Sequence, residues 1–174
     1  TSLIDNDGDN VPENIPDSHN DFSYCNLIGI TLNDRDLIDA DFEGANLSGA
    51  KLTGSNLQNA NFNNAIMYGT DLKSANLENA SFKNAILNGV NADSVNLQNA
   101  NFNNAKLKNV NLYKANLINT DFTNADLTEA NLCGGYLAYM KFDKTIFKNT
   151  DLHHADLSFA DLRTSIFKTR IWLE

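Results

Sequence analysis

Few side chains in this chain have the chemistry of a reactive site. Two cysteines, Cys25 and Cys133, and three histidines, His19, His153 and His154, are its soft or nucleophilic groups. A thiolate and an imidazole can share a soft metal, and a thiol beside a base is a nucleophile. The acids are more suggestive. Asp5-Asn6-Asp7-Gly8-Asp9-Asn10-Val11-Pro12-Glu13 sets carboxylates at alternate positions around a glycine. Carboxylates so close repel unless a cation lies between them, and this alternation is how an oxygen-ligand calcium loop begins. Asp5, Asp7 and Asp9 would be the early ligands, with Val11 offering its carbonyl. Pro16 holds the twelfth place, where a bidentate acid is wanted, so Glu13 or Asp17 would have to substitute. A solvated acidic linker is the alternative reading of the same residues.

These groups can act together only if the chain folds to bring them together, and its periodicity says how it folds. From Phe22 to Trp172 every fifth residue is large and apolar: 19 Leu, 9 Phe, Met67 and Trp172, with Ala92 the one exception. Two residues before each lies a small residue, at 26 of 30 positions. Between the two stands Asn or Asp as a rule, as in Ala45-Asn46-Leu47-Ser48-Gly49. A helix buries a face at period 3.6 and a strand at period 2, so five fits neither. A backbone that turns a corner every five residues does fit. Each side sends one large and one small side chain inward and leaves three positions facing water.

A second period fixes the number of sides. Phe22, Phe42, Phe62, Phe82, Phe102, Phe122 and Phe142 recur every twenty residues, as do Asn59, Asn79, Asn99 and Asn119. Twenty is four pentads, so one coil has four sides and equivalent residues stack. Coils joined by backbone hydrogen bonds rise about 4.8 Å each. The interior becomes a close-packed column with a wall of stacked Phe rings. Val90 and Val95 compensate for the volume missing at Ala92. Arg35 and Arg170 take small-residue positions near the ends, where a cation reaches water. Outward Asn columns hydrogen-bond along the stack, and Gly29, Gly49, Gly69 and Gly89 form a corner column. Cys25 faces inward as a small residue and Cys133 outward, about 26 Å apart along the axis. That distance excludes a bridge, since disulfide Cα atoms lie within about 7 Å. Cys133 and His153 fall twenty residues apart and stack, yet zinc needs more ligands than this pair supplies.

The unbroken pentads from Phe22 to Trp172 resemble the pentapeptide repeat proteins. That resemblance implies an all-β, right-handed quadrilateral parallel β-helix with four pentads per coil and between seven and eight coils. The acidic segment resembles a thrombospondin type 3 calcium repeat, which implies calcium as the one bound cofactor. Three regions follow: an acidic leader at 1–21, the β-helix at 22–172, and a tail at 173–174 read as vector-derived.

Charge and composition restrict function. The formal charge is −9. The leader holds Asp5, Asp7, Asp9, Glu13, Asp17 and Asp21 and no base, so the rest of the chain carries only −3. A subset of the resembled family protects DNA gyrase from quinolones by looking like B-DNA. A rod this weakly charged, with Lys106, Lys108, Lys148 and Lys168 on one side, makes that the alternative reading. No nucleophile with an adjacent base, no phosphate-binding loop and no paired buried acids occur, and a filled column leaves no pocket. The expected role is a non-catalytic structural or protein-interaction module, with no nucleic acid bound. Tyr136, Tyr139 and Phe159 are expected to cluster near the C-terminal end, with Ile171 and Trp172 beyond, as an interface for a homodimer or another protein. Ile66, Ile86, Ile146 and Ile166 share one outward column broken by Lys106 and Asp126. No apolar run reaches the roughly 20 residues that span a bilayer. The first residue is Thr rather than Met, read as a processed chain or a piece of a longer one. With a calcium loop suited to millimolar calcium, the expectation is an extracytoplasmic site: secreted, periplasmic or lumenal.

Overall fold

The structure, a computed structural model, describes residues 20–168, and of Lys168 the backbone alone. One pentad explains the whole. In residues 61–65, the Asn61 N–H donates to Ala40 C=O in the coil below at 2.9 Å, and its own carbonyl accepts from Phe42 at 2.7 Å. Ala65 N–H then closes a turn onto Phe62 C=O at 3.1 Å. The third residue of that turn, Asn64, has φ 61°, the positive φ a type II turn requires. Phe62 and Ala65 point inward and are fully buried. The strand is too short to run on, so the chain turns and the next pentad begins.

Repetition of this unit builds a parallel ladder. Backbone bridges occur every five residues without a gap, from Asp21↔Asp41 to Lys141↔Asp161, and each joins residues twenty apart. Among the described residues, the bridges lengthen into strands only near the C-terminal end: β1 (Ile146–Lys148) pairs in parallel with β2 (Ile166–Lys168). Four corners therefore close each coil, as the twenty-residue period predicts.

The core is a single column. Phe22 to Phe122 stack with ring centroids 4.5 to 4.9 Å apart and planes within 7° of parallel. Ala92, Val90 and Val95 are all buried. Polar residues at small positions are satisfied: the Thr70 hydroxyl donates to Leu47 C=O at 2.7 Å, and Thr120, Thr145 and Thr150 do the same to carbonyls 23 residues back. No buried side-chain nitrogen or oxygen among the described residues lacks a partner.

Two expectations change on contact with the structure. The Asn or Asp between the two inward residues is half-buried in most coils rather than open to water. Its Oδ1 accepts the backbone N–H two residues on, as in Asn61 to Asn63 at 3.1 Å and Asp121 to Thr123 at 3.0 Å. These are Asx turns that satisfy the corner's free donor. Cys25 is only partly buried against the core, because it belongs to the first coil. Corners admit more than Asn and Gly: Tyr24, Lys114, Glu129, Tyr139, Lys144, His154 and Phe159 all hold positive φ. Arg35 is exposed near the start of the column, as its length and charge require; Arg170 lies outside the described residues.

Candidate functional site

Among the described residues no reactive centre assembles from the groups that could do chemistry. Cys25 and Cys133 are both free and half-buried. The bridge Asn131↔Asp151 sets Cys133 and His153 on adjacent rungs of one column. His153, however, is held by its own rung: Nδ1 lies 2.6 Å from Asp151 Oδ1, which also accepts the His153 N–H at 3.0 Å. Those bonds, the backbone one first, hold the Asp151 carboxyl below its ordinary range despite partial burial. His154 turns off the corner, its ring 6.3 Å from that of His153. Among the described residues no three His, Cys, Asp or Glu side chains converge on a metal-sized space. The candidate calcium ligands Asp5, Asp7, Asp9, Val11, Glu13 and Asp17 lie outside the described residues.

The surface is more informative than the interior. The Asn columns are hydrogen-bonded ladders: Asn79, Asn99 and Asn119 each donate Nδ2 to the Asn one coil below, at 3.2, 3.0 and 2.9 Å. The isoleucine column pairs as read, with Ile66↔Ile86 and Ile146↔Ile166 separated by Lys106 and Asp126. Charges tend to neutralise between coils. Lys73 reaches Asp93 at 3.2 Å and Lys108 reaches Asp126 at 3.4 Å. Burial would raise the Asp126 carboxyl, but the Thr128 hydroxyl and N–H and the Lys108 ammonium outweigh it and hold the carboxyl low.

Of the expected aromatic residues, two meet. Tyr139 and Phe159 stack with centroids 4.9 Å apart and planes 7° from parallel. Both stand on the outside, 56% and 78% exposed, and Tyr136 on the neighbouring column is 56% exposed. Tyr139 and Phe159 also occupy left-handed corners, φ 59° and 60°, where Asn or Gly would sit with less strain. Ile171 and Trp172 lie outside the described residues. Beside this end the core loosens: Phe122 to Phe142 widens to 6.1 Å and tilts by 19°. Phe147 meets Phe142 edge-on at 5.0 Å and stacks with Phe167 at 5.3 Å. An open cleft of about 190 Å³ lies on the adjoining side, lined by Thr123, Lys141, Phe142, Asp143, Asp161 and Thr164. That is smaller than the roughly 300 Å³ at which small-molecule pockets begin. The sequence signalled the aromatic stack through its period of twenty. It carried no sign of the His153–Asp151 bond or of the edge-on Phe142–Phe147 contact.

Comparison with known proteins places this geometry in context. The pentapeptide repeat region matches residues 18–92. The family of pentapeptide repeats (8 copies) matches residues 75–112, 96–134 and 136–168. No curated protein matches. Among solved structures the chain is similar to full-length QnrB1, a plasmid-mediated fluoroquinolone resistance protein, at 21% identity and TM-score 0.56, covering 84% of this chain and 85% of that one. It is also similar to a pentapeptide repeat protein from the Arabidopsis thaliana thylakoid lumen, at 29% identity and TM-score 0.46, over 69% and 70% of the two chains. HetL, a pentapeptide repeat protein involved in heterocyst differentiation regulation in the cyanobacterium Nostoc sp. strain PCC 7120, is 24% identical with TM-score 0.38, over 86% and 90%.

Proposed function

The chain belongs to the pentapeptide repeat family, and we propose that within it the protein is a non-catalytic interaction module: a rigid four-sided rod that engages a partner through its aromatic C-terminal end. One observation carries this reading. Two bulky aromatic residues, Tyr139 and Phe159, are held exposed and stacked at left-handed corners. Every corner from Tyr24 to Phe159 carries a positive φ, so what distinguishes this pair is two large aromatic rings stacked on adjacent coils and left in solvent. The partner is a second copy of the chain, joined as a homodimer through the C-terminal coils, with Tyr136, Ile171 and Trp172 completing the contact. Sedimentation equilibrium over a concentration series tests this. A concentration-dependent dimer abolished by Tyr139→Ala with Phe159→Ala is expected; a monomer at all concentrations rejects it.

Right-handed winding and between seven and eight coils over residues 22–172 belong to the same proposal, supported by the family resemblance and by four pentads per coil. So does calcium at the acidic leader, which would place the protein outside the cytoplasm. A thermal melt with calcium against chelator tests it, and an unchanged midpoint rejects it. The rival reading is a DNA-shaped protein acting on a type II topoisomerase. QnrB1's likeness in fold favours it; the charge of only −3 outside the leader opposes it. Gyrase supercoiling that is neither inhibited nor shielded from quinolone by micromolar protein would remove it.

A further inference from the structure

The amide columns have a direction. In the exposed column on the corner after each Leu of one side, Asn119 donates to Asn99, Asn99 to Asn79, Asn79 to Asn59 and Asn59 to Asp39, at 2.9, 3.0, 3.2 and 2.9 Å. Every nitrogen points toward the N-terminal end and every oxygen away from it. The half-buried columns run the same way. Asn116, Asn96, Asn76 and Asn56 descend to Asp36. Asn131, Asn111 and Asn91 descend to Asp71, and Asn61 donates to Asp41. In each of these the lowest member is an aspartate; the corner column of Asn64 and Asn84, with Gly44 beneath, holds one longer amide bond at 3.4 Å.

A row of stacked amides alone has two equivalent solutions, nitrogens down or nitrogens up, with the same number of bonds. In the half-buried columns the Asx turns break the tie, because Oδ1 must meet the backbone N–H two residues on, as Asn96 does for Gln98. The column from Asp39 to Asn119 sits on the corner residue itself, and no such backbone bond to its amides is formed. There the carboxylate is the group that can decide. An ionised carboxylate only accepts hydrogen bonds. With nitrogens down it receives one from Asn59; with nitrogens up the Asn59 oxygen would face it and repel.

We propose that Asp39 is a polarity-setting end group. It commits the column above it to one of two otherwise equal orientations, so that four amides on successive coils are fixed in one arrangement. The rod thereby presents one donor-acceptor pattern along this face rather than a mixture.

Substitutions between Asp and Asn, equal in shape and alike in tolerance of positive φ, test the direction. Asp39→Asn keeps an acceptor at the base and leaves the urea midpoint of the full chain unchanged, but it frees the column to reverse, so Asn119→Asp is expected to cost little in that background. Asn119→Asp removes the donor at the top and sets its oxygen against that of Asn99, so its midpoint is expected to fall. The fall persists in roughly 0.5 M salt, where the effect of an added surface charge alone is screened. A second readout needs no variant: in the wild-type chain one of the two Nδ2 protons of Asn59, Asn79, Asn99 and Asn119 exchanges slowly by NMR. An Asn119→Asp midpoint equal to wild type, a fall in the Asp39→Asn, Asn119→Asp double variant as large as in Asn119→Asp alone, or free exchange of both protons would each overturn the proposal.

Discussion

The middle coils and the last coil are built from the same pentad, yet they differ in order. Phe62, Phe82 and Phe102 stack within 4.9 Å and 3° of one another, and their rings are buried. One coil from the end, Phe122 to Phe142 opens to 6.1 Å. At the end itself Leu157 and Leu162 are partly uncovered and Phe167 is 40% exposed. A coil cannot bury its own inward side chains; its neighbours above and below do so. A middle coil has described neighbours on both sides, the last described coil on one. The looseness there is therefore a matter of position in the stack, and the same position leaves Tyr139, Phe159 and Phe167 exposed.

This contrast can be broken or sharpened by measurement. The largest effect is expected in the core. Phe82→Ala, in the tight part of the ladder, should cost about 3–5 kcal/mol by urea denaturation, whereas Phe167→Ala, with much of its ring already in water, should cost under about 2 kcal/mol. Equal losses would mean that the end is packed as firmly as the middle. Next come the buried hydroxyls. Thr70→Val removes the bond to Leu47 C=O and should cost about 1–2 kcal/mol, while Ser165→Ala, part-buried near the end with its bond to Phe142 C=O, should cost less. Corner strain should be relieved at either place. Glu129→Gly, at φ 60°, is expected to stabilise by up to about 1 kcal/mol, read as a raised thermal midpoint.

The smallest effect is electrostatic and confined to the end. The Arg163 side chain, bonded to both oxygens of Asp161, pulls that carboxyl down to about 2. A depressed folded pKa gives stability that is complete above the unfolded value of about 3.9. It is lost as pH falls through about 2. The pair is fully exposed, so the consequence for global stability is slight. An NMR titration should find the Asp161 midpoint near its ordinary value in Arg163→Ala; a midpoint that stays low would assign the shift to the Arg163 N–H instead.

Much of the molecule was legible in the residue order. The period of five gave the corners, the Phe column gave four sides, and Cys25 and Cys133 were correctly kept apart. The expected contact of Tyr139 with Phe159 follows from the same count. What could not be read concerns which groups meet within a rung. The Asx turns make the Asn and Asp before each large residue part of the corner rather than of the surface. Asp151 takes up His153, and Phe142 turns edge-on to Phe147. Each depends on side-chain angles a few ångströms across, about which a period is silent.

The order of residues, by itself, fixed where the backbone bends and which side chains share a wall, because burial of one large and one small group per five residues has a single repeating solution. It said nothing about how tightly each level of that wall would close or which way its amides would point. Those were settled only when the coils were stacked, since a ring's spacing depends on how many neighbours press on it, and an amide's orientation on the hydrogen-bond partners that its own turn and the adjacent coils supply.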